Sequence, residues 1–137
     1  MDNLAEIDCW IFDLDNTLYP ASIDLFGQIN VKMSNYIMNL LDVDKVAADK
    51  MRAVYWEKYG TSLAGLMKNY KIDPDDFLNN VHDIDFSVLP KDLDLLDALN
   101  NLPGRKLVYT IVTVPYAREV LKCLGLLDVF DEIYGIE

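Results

Sequence analysis

The apolar stretch IDCWIF ends at Phe12 and gives way at once to DLDNTLYP, and this junction restricts the possible folds more than any other feature of the chain. An almost unbroken apolar run of that length reads as a strand buried on both faces of a parallel sheet. Two carboxylates, Asp13 and Asp15, directly beyond it sit at the carboxyl end of the strand, where open parallel sheets bind their ligands. Alternation sends both acids toward one side and Leu14 back to the core.

The rest of the chain supplies the partners such a strand requires. After Pro20 and Ser22, Ile23, Phe26, Ile29, Met33, Ile37, Leu40 and Leu41 recur at helical spacing. A second helical pattern carries Val46, Met51, Val54 and Tyr55 and stops at Gly60; a third runs from about Ser62 to Tyr70 with Leu63, Leu66 and Met67. A fourth opens at Asp73-Pro74, a cap followed by a residue preorganised for the first turn. KDLDLLDALNNLPG then reads as a helix, RKLVYTIV as a strand, the segment from Pro115 to Leu124 as a helix, and DEIYGIE as a third strand. The fold class is α/β. Right-handed crossovers make the three strands parallel and bring the loops after Phe12 and Tyr109 to one end of the sheet.

Charge removes several classes of function. Twelve basic against twenty-three acidic residues in 137 leave a formal charge of −11, which repels nucleic acid polymers and anionic membranes. The N-terminus MDNLAEID is acidic where a secretory signal is basic and then apolar, so the chain is expected to be cytoplasmic. Cys9 and Cys123 lack metal-ligand spacing and are expected to be buried thiols. A single histidine, His82, leaves the carboxylates as the main acid–base candidates. Two acids held close raise one pKa or recruit a hard cation such as Mg²⁺, an arrangement suited to phosphoryl chemistry.

With the apolar strand before it, DLDNTLY resembles the first signature of the haloacid dehalogenase-like hydrolases. The helical stretch that follows is similar to that superfamily's cap. EKYGTSLAGLM and VHDIDFSVLP resemble the pyrimidine 5'-nucleotidase branch. The resemblance implies a partial Rossmann-like core at 1–20 and 88–137 with a four-helix cap at 21–87. It implies an Mg²⁺-dependent phosphatase acting on small nucleoside monophosphates through an aspartyl-phosphate. Asp13 would be nucleophile and metal ligand, and Asp15 the general acid/base whose carbonyl also meets the metal. The Thr110 hydroxyl, with backbone amides around Leu14, Asn16 and Ile111, would hold the phosphate. His82 would have at most a place in the substrate pocket. Phe26, Tyr55, Trp56, Tyr59 and Tyr70 would form the cap core, one or two of them stacking on a base.

Two departures from the family pattern bear on activity. Ile111 and Val112 stand where relatives carry polar and small residues, and segments with a lysine and further metal-binding acids are expected beyond DEIYGIE. The chain alone is therefore expected to be truncated and weakly active or inactive. Its first strand would offer an open edge to a second copy or a complementing fragment. The alternative is a degenerate, non-catalytic domain that binds a nucleotide or a protein partner.

Overall fold

The computed structural model describes residues 2–136. The chain divides into two compact units, one formed by residues up to Ile23 together with those from Phe86 onward, the other Asp24–Asp85. The domain limits expected from the sequence lie a few residues outside the second unit at each end.

The first unit is α/β. Strands β1 (Cys9–Phe12), β2 (Arg105–Tyr109) and β3 (Glu132–Tyr134) form one sheet in the order β1-β2-β3, every neighbouring pair parallel. Helix α5 (Leu93–Asn101) links β1 to β2, and α6 (Val114–Leu124) links β2 to β3. Asp92 caps α5 by accepting from the Leu95 amide, and α6 ends at Gly125 in the left-handed conformation at φ 76°. Trp10, Phe12, Lys106, Val108 and Ile133 share the covered face of the sheet. There Val108, Ala117, Val120 and Leu121 are wholly buried, and Phe12 meets Phe130 edge to face at 5.7 Å.

The opposite face is open, which corrects the expectation of a first strand buried on both sides. Ile11 is 69% exposed and Tyr109 65%, and Cys9 is exposed rather than a buried thiol. Both helical crossovers follow strands that advance in one direction, so a right-handed chain lays them on the same face and leaves the other bare. Strand β1 pairs only with β2, so it is an edge of this sheet among the described residues.

The second unit is helical: α1 (Leu25–Leu41), α2 (Lys45–Tyr59), α3 (Ser62–Asn69) and α4 (Pro74–Val81). Helix α1 starts later than the apolar periodicity suggests. Ala21–Ile23 form a separate 3₁₀ turn, and Asp24 takes a left-handed conformation from which its carboxylate accepts the Gly27 amide. Asp44, Thr61 and Asp73 cap the next three helices in the ordinary extended conformation. The core holds Leu25, Ile29, Ile37, Ala48, Tyr55, Leu66, Phe77 and Val81. Val46, Val54, Trp56, Met67 and Tyr70, expected inside by type and spacing, are exposed. Helix α2 meets its neighbours along a narrow stripe centred on Ala48 and Tyr55, so apolar residues outside it face solvent. No helix among the described residues is long and apolar enough to cross a membrane.

Candidate active site

The acidic turn is a product of local hydrogen bonding at the end of β1. The Thr17 and Leu18 amides both donate to the Leu14 carbonyl, at 3.3 and 3.0 Å, which winds the chain back on itself. Asn16 occupies the left-handed region at φ 58°, a conformation that asparagine tolerates better than most side chains. Leu14 and Leu18 are buried and anchor the turn. Leu14 is pinned inward between the exposed Asp13 and the half-buried Asp15.

The two carboxylates then meet different surroundings. Asp13 is exposed and accepts from the Thr17 hydroxyl through Oδ2 at 3.2 Å. Asp15 is half-buried; its Oδ1 accepts from the Tyr19 hydroxyl at 2.6 Å, while Oδ2 is shut off from solvent with no hydrogen-bond partner in the structure. Burial pushes the Asp15 carboxyl above the usual carboxylate range; the Tyr19 hydroxyl pulls it down, and the neighbouring Asp13 charge adds to the rise. Burial and the bond to Asp15 hold the Tyr19 phenol protonated, and Tyr116, from the first turn of α6, is raised by burial and by the Asp15 charge. The result is a half-buried carboxyl shifted toward its protonated form two residues from an exposed one.

Tyr19 closes the DLDNTLY motif but is given no role in the motif reading, and Tyr116 plays no part in it. Tyr19 follows Asp15 by four residues in a tight turn, a spacing that could have marked it. Tyr116 comes to the site only because β2 is β1's neighbour and α6 follows β2, which no local pattern reveals.

The second loop leaves the same end of the sheet. Phe12 is in register with Val108, so the segments after β1 and β2 emerge side by side. Thr110 is buried, its amide donates to the Tyr134 carbonyl at 2.9 Å, and its hydroxyl oxygen accepts from the Val112 amide at 3.4 Å. Ile111 is 77% exposed, and Val112 points inward. The Thr110 hydroxyl thus braces its own turn, and an isoleucine side chain stands at the surface beside it. Arg105 and Lys106 lie at the far end of β2. Arg105 pairs with Glu132 at 3.5 Å, and the Lys106 ammonium donates to the Gly104 carbonyl at 3.2 Å. His82 ends α4 in the helical unit, its amide donating to the Leu78 carbonyl.

Among the described residues no group of three or more His, Cys, Asp or Glu side chains gathers into a metal-binding cluster. The oxygens available at the turn are the exposed Asp13 carboxylate and the backbone carbonyls. Magnesium commonly takes only one or two carboxylates and completes its shell with water and substrate phosphate, so this donor set fits it in kind. The partnerless Asp15 Oδ2 is a further hard oxygen beside it.

No protein-family model matches the chain. It is similar to Phosphate metabolism protein 8 of Saccharomyces cerevisiae, 33% identical over 136 residues that cover 90% of this chain. The chain spans 42% of the length of that protein. It also overlays on the crystal structure of the HAD-hydrolase YfnB of Bacillus subtilis bound to magnesium, with a TM-score of 0.49 and 14% identity. That overlay covers 93% of this chain and 63% of YfnB.

Proposed function

We propose that the α/β unit is the phosphoryl-transfer part of a haloacid dehalogenase-like phosphatase, of pyrimidine 5'-nucleotidase type, acting on small nucleoside monophosphates. The observation that carries this reading is the contrast between an exposed Asp13 and a half-buried Asp15 whose carboxyl burial pushes above the usual range, two residues apart at the carboxyl end of a parallel strand. The likeness in sequence to the yeast protein is consistent with it.

The chemistry follows from the two environments. Thr17 engages Asp13 Oδ2, which leaves Oδ1 to attack phosphorus. The phosphorus–ester oxygen bond breaks as the aspartyl-phosphate forms, and Asp15 gives its proton to the departing alkoxide. Asp15, now ionised, removes a proton from water, which attacks the same phosphorus and releases phosphate and free Asp13. A bound Mg²⁺, held by the Asp13 carboxylate and the Asp15 carbonyl, would offset negative charge on the phosphoryl oxygens. Asp15 also separates this site from dehalogenases of the same resemblance, which do not need an acid for the leaving group.

A second reading has its own observation. Ile111 is exposed where a phosphate cradle is expected, and Arg105 and Lys106 are engaged at the other end of the sheet. That favours a binding domain without turnover. Phosphate release from UMP or CMP in the presence of Mg²⁺ separates the two. The phosphatase reading expects release that Asp13→Asn lowers by about a hundredfold or more. Release that is absent, or indifferent to Asp13→Asn, rejects it.

A further inference from the structure

The phosphatase reading needs Asp15 at the surface of the turn, and in the structure its carboxyl points into the protein. Oδ1 accepts from the Tyr19 hydroxyl at 2.6 Å and Oδ2 is closed to solvent, whereas the Asp13 carboxylate two residues earlier is exposed. An acid has to come within about 2.6–3.2 Å of the oxygen it protonates. An ester seated on the exposed Asp13 therefore meets Asp15 only after the Asp15 side chain has turned outward.

The inward orientation is held from behind. Tyr19 is buried, and its hydroxyl lies against that of Tyr116, which is buried in the first turn of α6 with its ring edge-on to Phe86 at 5.2 Å. The backbone of the turn is fixed by the wholly buried Leu14, whose carbonyl accepts from the Thr17 and Leu18 amides, so rotation about the Asp15 side-chain bonds is the motion left to it. Inward, Asp15 gains the Tyr19 bond and leaves Oδ2 without a partner; outward, it loses that bond and frees Oδ2 for water or a ligand. Each orientation lacks something that the other supplies, so a ligand that offers Asp15 an acceptor biases the balance outward.

We propose that Tyr19 is a positioning residue that keeps Asp15 withdrawn until an ester occupies the turn, when Asp15 leaves the Tyr19 hydroxyl for the ester's leaving oxygen. The proposal rests on the phosphatase reading and adds to it an order of events. Asp15 turns first; its proton then passes to the leaving oxygen as the bond from that oxygen to phosphorus breaks, and the electron pair of that bond stays on the oxygen.

Two measurements on the chain test it. In the first, kcat/KM is compared for UMP, whose alkoxide needs a proton, and p-nitrophenyl phosphate, whose phenolate leaves without one. Tyr19→Phe releases Asp15, so the ratio of UMP to p-nitrophenyl phosphate should rise about threefold or more, because the outward orientation is then more often populated. A merely structural role lowers both rates and leaves the ratio as it was, and a role in holding Asp15 at the leaving oxygen lowers the ratio; either result overturns the proposal. The second needs no variant: exchange of the Tyr19 hydroxyl proton with solvent is followed by proton NMR through its cross-peaks to the Tyr19 ring. Orthovanadate with Mg²⁺ supplies an oxygen in place of the leaving oxygen and should speed that exchange by about tenfold or more. Exchange indifferent to vanadate, in a chain whose phosphate release depends on Asp13, overturns the proposal and leaves the phosphatase reading standing. Absence of any Asp13-dependent release removes that reading, and this proposal with it.

Discussion

The Tyr19 hydroxyl donates to Asp15 Oδ1 at 2.6 Å, closing a loop of five residues between a buried phenol and a half-buried carboxyl. That single bond satisfies the one Asp15 oxygen that has a partner, and it opposes the rise that burial imposes on the carboxyl. Tyr19→Phe keeps the ring in the core and deletes the donor. The expected cost is about 1–3 kcal/mol, since the carboxyl is left desolvated and without a partner. Urea denaturation at pH 7 measures it, and an unchanged midpoint would show that the bond contributes nothing to the turn.

Asp15→Asn should have the opposite effect at neutral pH. The folded-state pKa of Asp15 lies above its ordinary value of 3.8. Between those two values the folded chain binds more protons than the unfolded chain, so stability falls as pH rises through the window. Asparagine still accepts from Tyr19 and carries no charge to desolvate. The variant should be more stable than the parent at pH 7 by on the order of 1 kcal/mol, partial exposure keeping the effect small. The advantage should fade as the pH is lowered toward 4. Thermal melts across that range check the sign, and a variant less stable at pH 7 than at pH 4 relative to the parent contradicts it.

Asp49 titrates the other way. Lys45 at 2.7 Å, the buried Ser34 hydroxyl at 2.5 Å and Arg52 at 3.4 Å hold its carboxyl down to about 2. A depressed folded pKa gives stability that is present above 3.8 and lost as the pH falls through about 2. Asp49→Asn should therefore flatten the acid limb of the stability profile between pH 4 and 2, the two proteins converging below it. An acid limb of unchanged steepness in the variant would exclude the network as its source.

Gly65 is a packing requirement between α2 and α3. A Cβ there would sit 2.3 Å from Cγ and 2.7 Å from Cβ of Tyr55, itself buried. Gly65→Ala should destabilise the helical unit by about 1–3 kcal/mol despite alanine's better helix propensity. Guanidinium denaturation followed by far-UV circular dichroism measures the loss, and the same substitution should cost less in a Tyr55→Ala background, which removes the Cγ and Cδ2 that the added Cβ would meet.

Gly104 answers to a backbone constraint. Its φ is +93°, and an added Cβ would sit 2.6 Å from the Asp8 carbonyl oxygen, where β2 begins beside β1. Gly104→Ala should cost more than Gly125→Ala, whose Cβ would meet only Lys91 methylenes at 3.7 Å or more. Equal midpoints for the two variants would mean that the Asp8 contact relaxes freely.

Much of the chain's local order was legible without coordinates because it is built from short-range physics. Asp73 before Pro74, Gly60 and Gly125 after helical runs, and Pro115 at the head of α6 each mark a helix end, since capping and φ restrictions act within one turn. The burial of Leu14 between two more exposed aspartates was legible for the same reason, alternation being a local rule. Which apolar residues lie inside depends on contacts distant in sequence, so Trp56 and Ile11 could not be placed from their types or spacing. The approach of Tyr116 to Asp15 and Tyr19 arises where segments about a hundred residues apart converge at one sheet end. Burial exists only once those segments meet, and it is the largest cause of the rise in the Asp15 carboxyl.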